Sequence, residues 1–146
     1  MENCIFCKIA SGEIPSQTIY EDNQFRAILD LSPASKGHTL ILPKKHFKDV
    51  TELDEDYAAA ILPLASKIGQ AMKKELGCTG FNLVQNNGEA AGQTVMHFHM
   101  HIIPRYANGP KMVDWTPNES NPEEQKQLAE ILSKALQWLI QLSTAH

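Results

Sequence analysis

Residues 96–103 read Met-His-Phe-His-Met-His-Ile-Ile. Side chains alternate faces along a β-strand, so His97, His99 and His101 project together while Phe98, Met100 and Ile102 point the other way. Alternate residues on one face stand roughly 7 Å apart. Packing asks for no row of three imidazoles, and the pattern therefore marks a metal patch, a solvated strand face or a reactive site. The opposing apolar half requires a core on its side of a sheet.

Working outward, residues 86–94 (NNGEAAGQT) form a glycine-bearing loop that feeds this strand, expected over 95–103, and residues 81–85 form another strand before it. A long helix precedes these, from a cap at Asp54 to about Leu76, with Lys73 and Lys74 in its last turn and Gly77 as its stop. Pro63 lies inside that helix and should bend it. Further upstream, His38 opens a strand that Pro43 ends, and residues 31–37 (LSPASKG) are a loop. Residues 18–20 and 25–29 read as a hairpin, and Ile5, Phe6 and Ile9 give residues 4–10 the spacing of a short amphipathic helix. Downstream, Asn121 caps a last helix whose Leu128, Ile131, Leu132, Ala135, Leu139 and Leu142 make one apolar stripe. That helix is expected to dock on the domain or on a second subunit. The order of elements predicts an α+β domain with a mainly antiparallel five-stranded sheet, a long central helix, a short N-terminal helix and a C-terminal helix. We expect one domain over residues 1–110 and a helical C-terminal extension over 111–146.

The chain has 146 residues, 42% hydrophobic and 21% charged, enough to bury a core. Its formal net charge of −4 argues against a nucleic-acid partner, which needs a basic stripe to displace counterions. No run of about 18 apolar residues suggests a membrane span. The N-terminal segment is neither basic nor continuously apolar, and the three cysteines suit a reducing compartment, so the expected address is the cytoplasm. Cys4-x-x-Cys7 has metal-ligand spacing, and His46, in the segment after Pro43, is an available third ligand. Cysteines that merely pack near the surface are the alternative. Cys78 has no partner in the sequence and reads as a structural or surface thiol.

The alternation His-apolar-His-apolar-His-apolar-apolar over residues 97–103 resembles the signature of the histidine triad superfamily. Residues 4–15 (CIFCKIASGEIP), 29–33 (LDLSP), 37–46 (GHTLILPKKH) and 86–94 extend the similarity to its Hint-like bacterial branch, over roughly residues 3–106. The resemblance implies a nucleotide hydrolase or transferase in which His99 attacks the α-phosphorus of a purine nucleotide and forms a nucleotidyl-histidine. It implies that His101 and His38 orient and polarise the site. Neutral imidazole is nucleophilic near pH 7 without a strong base, provided the attacking nitrogen is the unprotonated one. Asp30 would accept hydrogen bonds from the ribose hydroxyls. Ile5, Phe6, Ile9, Ile14, Ile28 and Leu31 would clamp the base, where the plainer reading is core. Asn86, Gln93 and Thr94 would contact the phosphate or the leaving group.

By the same resemblance, Cys4, Cys7, His46 and His97 would bind a structural zinc, which removes His97 as a proton donor. The expected substrate is a nucleoside 5′-phosphoramidate. Pro104-Arg105 leaves open a dinucleoside polyphosphate, with Arg105 on an extra phosphate or as a plain strand-end charge. A non-catalytic nucleotide-binding regulator is the remaining alternative. The superfamily's homodimers imply a homodimer here, with Trp115 reaching toward the partner's site.

Overall fold

The computed structural model describes residues 3–111 and 115–144. The chain forms two compact units, residues 1–112 and 113–146. In the first, α1 (Ile5–Ser11), β1 (Thr18–Glu21), β2 (Phe25–Leu29), β3 (Thr39–Pro43), α2 (Glu55–Leu76), β4 (Gly80–Val84) and β5 (Met100–Arg105) follow in chain order. The sheet runs β1-β2-β3-β5-β4, with every neighbouring pair antiparallel. Among the described residues, no helix is long and apolar enough to cross a membrane.

Alternation along the strands divides the sheet into two apolar faces. Phe25, Ala27, Ile41 and Ile102 pack with Phe98 and with Ile61, Ala65, Ile68 and Met72 of α2. Ile28, Leu40 and Leu42 pack on the other face with Ala10, Phe6 and Ile9 of α1. Ile28 pairs with Leu40, and Leu40 with His101. The strand histidine therefore lies on the face that α1 covers.

The expected elements form, with three differences. The triad strand pairs only from Met100, not from Val95. Continuing the register of Ile41 with Met100 would oppose Phe98 to Pro43, which has no N–H to give the ladder, and β4 already ends at Val84, opposite His101. Residues 97–99 thus run past the end of β4 and beyond the paired part of β3. Pro43 ends β3 as its last residue, but Pro104 lies inside β5 rather than after it. Pro104 is tolerated because the β3 ladder begins at Thr39, opposite Ile102. At α2, Asp54 makes no side-chain cap bond, because its carboxylate takes the Lys45 ammonium at 2.7 Å. Gly77 ends α2 at φ +71°, a conformation open to glycine at no steric cost.

In the second unit, α3 (Pro122–Thr144) starts as its sequence demands: the Asn121 side-chain oxygen accepts the N–H groups of Glu123 at 3.0 Å and Glu124 at 3.1 Å. Leu128, Ile131, Leu132, Leu139 and Leu142 of its stripe are exposed in the single chain. Trp115 is also exposed.

Candidate active site and metal centre

His38 precedes β3 and faces His101 of β5, while His99 and His97 lie before the start of β5, toward Pro43 at the other end of β3. The Nδ1–H of His99 donates to the His97 carbonyl at 2.7 Å, because a carbonyl can only accept. A neutral His99 then carries no proton on Nε2. Phe6 sets its ring edge-on to His99, with centroids 4.8 Å apart and planes at 86°. His101 lies on the other side at 5.1 Å between centroids. Its Nδ1 is 2.9 Å from His38 Nε2, and His38 Nδ1 accepts the N–H of Ala34 at 2.9 Å.

Burial decides the charge of these rings. It pulls His99 and His38 below the ordinary histidine range, outweighing the His97 carbonyl at His99 and the Asp30 carboxylate at both, which favour the protonated forms. His101 falls to about 4, first from burial and then from the neighbouring His99 and His38. All three rings are neutral at pH 7. Asp30 is half-buried, its carboxylate 3.6 Å from His38 Nε2 and accepting the Ser32 N–H at 2.8 Å.

The apolar clamp assembles in part. Phe6, Ile9 and Ile28 belong to one cluster, and Ile14 is half-buried, its N–H donated to the Lys8 carbonyl at 3.1 Å. Leu31 is 95% exposed and packs into no core, while Ile5 lines a cleft of about 940 Å³ with Lys48 and Thr94. The loop residues divide similarly. Thr94 is exposed and Asn86 half-buried. Gln93 departs from its expected place at a phosphate. It is buried, accepts the Gly88 N–H at 2.8 Å and donates to the carbonyls of Lys48 at 2.7 Å and Val95 at 3.0 Å. Both hydrogens of its amide therefore serve to shape the loop. Arg105 is engaged as well, donating to Asn82 Oδ1 and the Pro110 carbonyl, each at 3.1 Å. Ala34, Pro43 and the His97 carbonyl are absent from the sequence-derived site; main-chain groups leave no residue-type signal.

Next to this site, Cys4, Cys7, His46 and His97 converge. His97 Nδ1 lies 3.4 Å from each cysteine sulfur and 3.2 Å from His46 Nδ1, and Cys7 Sγ is 3.3 Å from His46 Nδ1. A tetrahedral zinc ion would separate nitrogen ligands by about 3.4 Å and sulfur from nitrogen by about 3.6 Å. The donors stand within a few tenths of an ångström of that. The protonation pattern fits too. His97 Nε2–H donates to the Pro43 carbonyl at 2.9 Å, which leaves the Nδ1 lone pair for a metal, and burial lowers this ring to about 4. Burial raises the Cys7 thiol above its ordinary range. Asp30, His38 and His101 also bring donor atoms within 4.8 Å of one another.

Three neutral imidazoles, His38, His99 and His101, beside a two-cysteine, two-histidine cluster define a site of the histidine triad kind. Residues 11–108 match the HIT domain family model. A HIT family member from Bacillus subtilis is 42% identical, covers 90% of this chain and 96% of its own, and superposes with a TM-score of 0.83. The adenosine 5′-monophosphoramidase of Schizosaccharomyces pombe is 41% identical over 138 residues, 92% of this chain and 98% of the relative. A zinc-bound histidine triad family protein from Mycobacterium smegmatis is 34% identical, covers 99% of each chain, and has a TM-score of 0.71. The chain belongs to the HIT domain family, and its five-stranded antiparallel sheet with three helices is the HIT fold.

Proposed function

We propose that this protein hydrolyses nucleoside 5′-phosphoramidates, with a purine base favoured, through attack of His99 Nε2 on the α-phosphorus. One observation carries the reading. The His99 Nδ1–H is held by a carbonyl while burial keeps the ring neutral, so the free lone pair sits on Nε2 at physiological pH. The Nε2–P bond forms as the P–N bond to the leaving amine breaks and the amine takes up a proton. Water then attacks phosphorus, releases the nucleoside monophosphate and a proton, and frees the imidazole. In this reading Asp30 accepts the ribose hydroxyls, the aliphatic residues from Ile5 to Leu31 with Phe6 hold the base, and Asn86 and Thr94 meet the phosphate. The named activity of the fission-yeast relative supports the substrate class. Arg105, tied to Asn82 and Pro110, gives the dinucleoside polyphosphate alternative little support.

Cys4, Cys7, His46 and His97 would hold a zinc ion, which when bound supplies a structural cross-link between α1 and the segment leading into β5. His97, with its only proton on the Pro43 carbonyl, gives none to a leaving group. A homodimer joined along the β4 edge and α2 completes the reading, and sedimentation tests it.

The deciding experiment is His99→Ala. It should abolish turnover of an adenosine 5′-phosphoramidate while adenosine monophosphate still binds, and wild type quenched during turnover should carry one nucleotidyl group on His99 by peptide mass spectrometry. Turnover by the variant would refute the assignment.

A further inference from the structure

We infer that the main-chain N–H of Ala34 sets the direction of the His38–His101 hydrogen bond and thereby makes His101 a fixed Nε2–H donor rather than a proton-transferring acid. The inference rests on the phosphoramidase reading for its chemistry, and on hydrogen-bond direction alone for its geometry.

A main-chain amide donates and cannot accept, so the Ala34 N–H at 2.9 Å requires a lone pair on His38 Nδ1. A neutral His38 must then carry its proton on Nε2. That proton faces His101 Nδ1 at 2.9 Å, which is the acceptor by elimination. His101 in turn carries its proton on Nε2. Reversing the pair would set a His38 Nδ1–H against the Ala34 N–H, and protonating His101 on Nδ1 would set two N–H groups head to head. The same tautomers leave no lone pair on His38 Nε2 for a cation, so Asp30, His38 and His101 form a hydrogen-bonded site and not a second metal centre.

Direction also limits what the pair can pass on. If His101 released its Nε2 proton to the leaving amine, the replacement on Nδ1 would come from His38 Nε2. His38 would become an imidazolate whose other nitrogen faces an amide that has no proton to give. The chain is closed at Ala34. His101 therefore stabilises charge on the phosphoryl or leaving group as a stationary donor, and the amine takes its proton from solvent.

The loop that holds Ala34 is itself fastened to the end of β5. Ser35 Oγ donates to the Pro104 carbonyl at 2.6 Å, the Tyr106 hydroxyl donates to the Lys36 carbonyl at 2.7 Å, and the His38 N–H returns to the Ser35 carbonyl at 3.1 Å. Ala34 is thus a positioning residue that acts through His38, and its side chain plays no part.

The test is long-range ¹H–¹⁵N NMR on histidine-labelled protein at pH 7, with Ala34→Pro, which removes the N–H, and Ala34→Gly, which keeps it. Wild type and Ala34→Gly should show His38 and His101 both protonated on Nε2. Ala34→Pro should show mixed tautomers and a kcat for an adenosine 5′-phosphoramidate lower by roughly fivefold, the rate equivalent of one neutral hydrogen bond, with KM nearly unchanged. A wild-type His38 protonated on Nδ1 overturns the inference, as does an Ala34→Pro protein that mixes tautomers at full kcat. If Ala34→Pro fails to fold, the wild-type tautomers decide alone. They decide equally if phosphoramidates prove not to be the substrate, which separates this failure from that of the proposed function.

Discussion

Acid should destabilise this protein through His101, and the amount follows from its environment. Burial, reinforced by His99 and His38, lowers the ring to about 4 in the folded state against 6.5 for an ordinary histidine. Between those values the unfolded chain binds a proton that the folded chain refuses, so the contribution of His101 is fully present above pH 6.5 and is lost as pH falls toward 4. Taking the folded and unfolded values together, the loss between pH 7 and pH 5 is about 2 kcal/mol. Other groups titrate in the same window, so the measurement is a difference. Urea unfolding of wild type and His101→Asn at both pH values gives four free energies. Asparagine is neutral at both and can offer its oxygen to His38 Nε2 in place of the lost nitrogen. The variant should be less acid-sensitive than wild type by about 2 kcal/mol, whatever its stability at pH 7. Equal acid sensitivity in the two proteins would refute the idea that His101 is held neutral, and with it the head-to-head repulsion argued from Ala34.

Two further outcomes follow from packing and from the cysteine cluster. Purified protein prepared without chelators should hold close to one zinc per chain by atomic emission, and Cys7→Ser or chelation should speed amide exchange in α1 well before the sheet loosens. Seven residues with only Ala10 buried are too few for a self-supporting helix; exchange in α1 unchanged by metal removal would contradict this. Gly69→Ala should cost about 1–3 kcal/mol in urea unfolding, since the new Cβ would stand 2.6 and 2.8 Å from the Phe81 ring and force α2 away from β4. A loss under about 0.5 kcal/mol would show that the ring yields freely.

The fold was legible because each element carries its own punctuation. Asn121 and Pro122 at the start of α3, Gly77 at the end of α2 and the two-residue period of the strands all act over a few positions, and the structure follows them. What misled was local reasoning about residues whose partners come from elsewhere. Asp54 looked like a cap because of the helix after it, but Lys45 takes its carboxylate. Gln93 stands in a glycine-rich loop before the histidines, yet the carbonyls of Lys48 and Val95 and the Gly88 N–H claim its amide. β5 starts five residues later than its alternation predicts because the limit comes from Pro43, more than fifty positions away.

The candidate site shows the same division at finer scale. Spacing in the chain identifies three histidines, and the family resemblance adds His38, but neither fixes their states, because in composition an imidazole is simply an imidazole. The structure distinguishes them through three main-chain groups. The Pro43 carbonyl takes the Nε2 proton of His97 and turns Nδ1 to the cysteines, while the His97 carbonyl takes the Nδ1 proton of His99 and bares Nε2. The Ala34 amide does the reverse at His38, presenting a proton where the others accept one, and sends that direction on to His101. Two carbonyls and one amide thus sort chemically identical rings into one with Nδ1 turned to the cysteines, one with a bare Nε2 and one with an Nε2–H. Losing the Ala34 N–H or displacing the Pro43 carbonyl would alter the chemistry without touching a histidine.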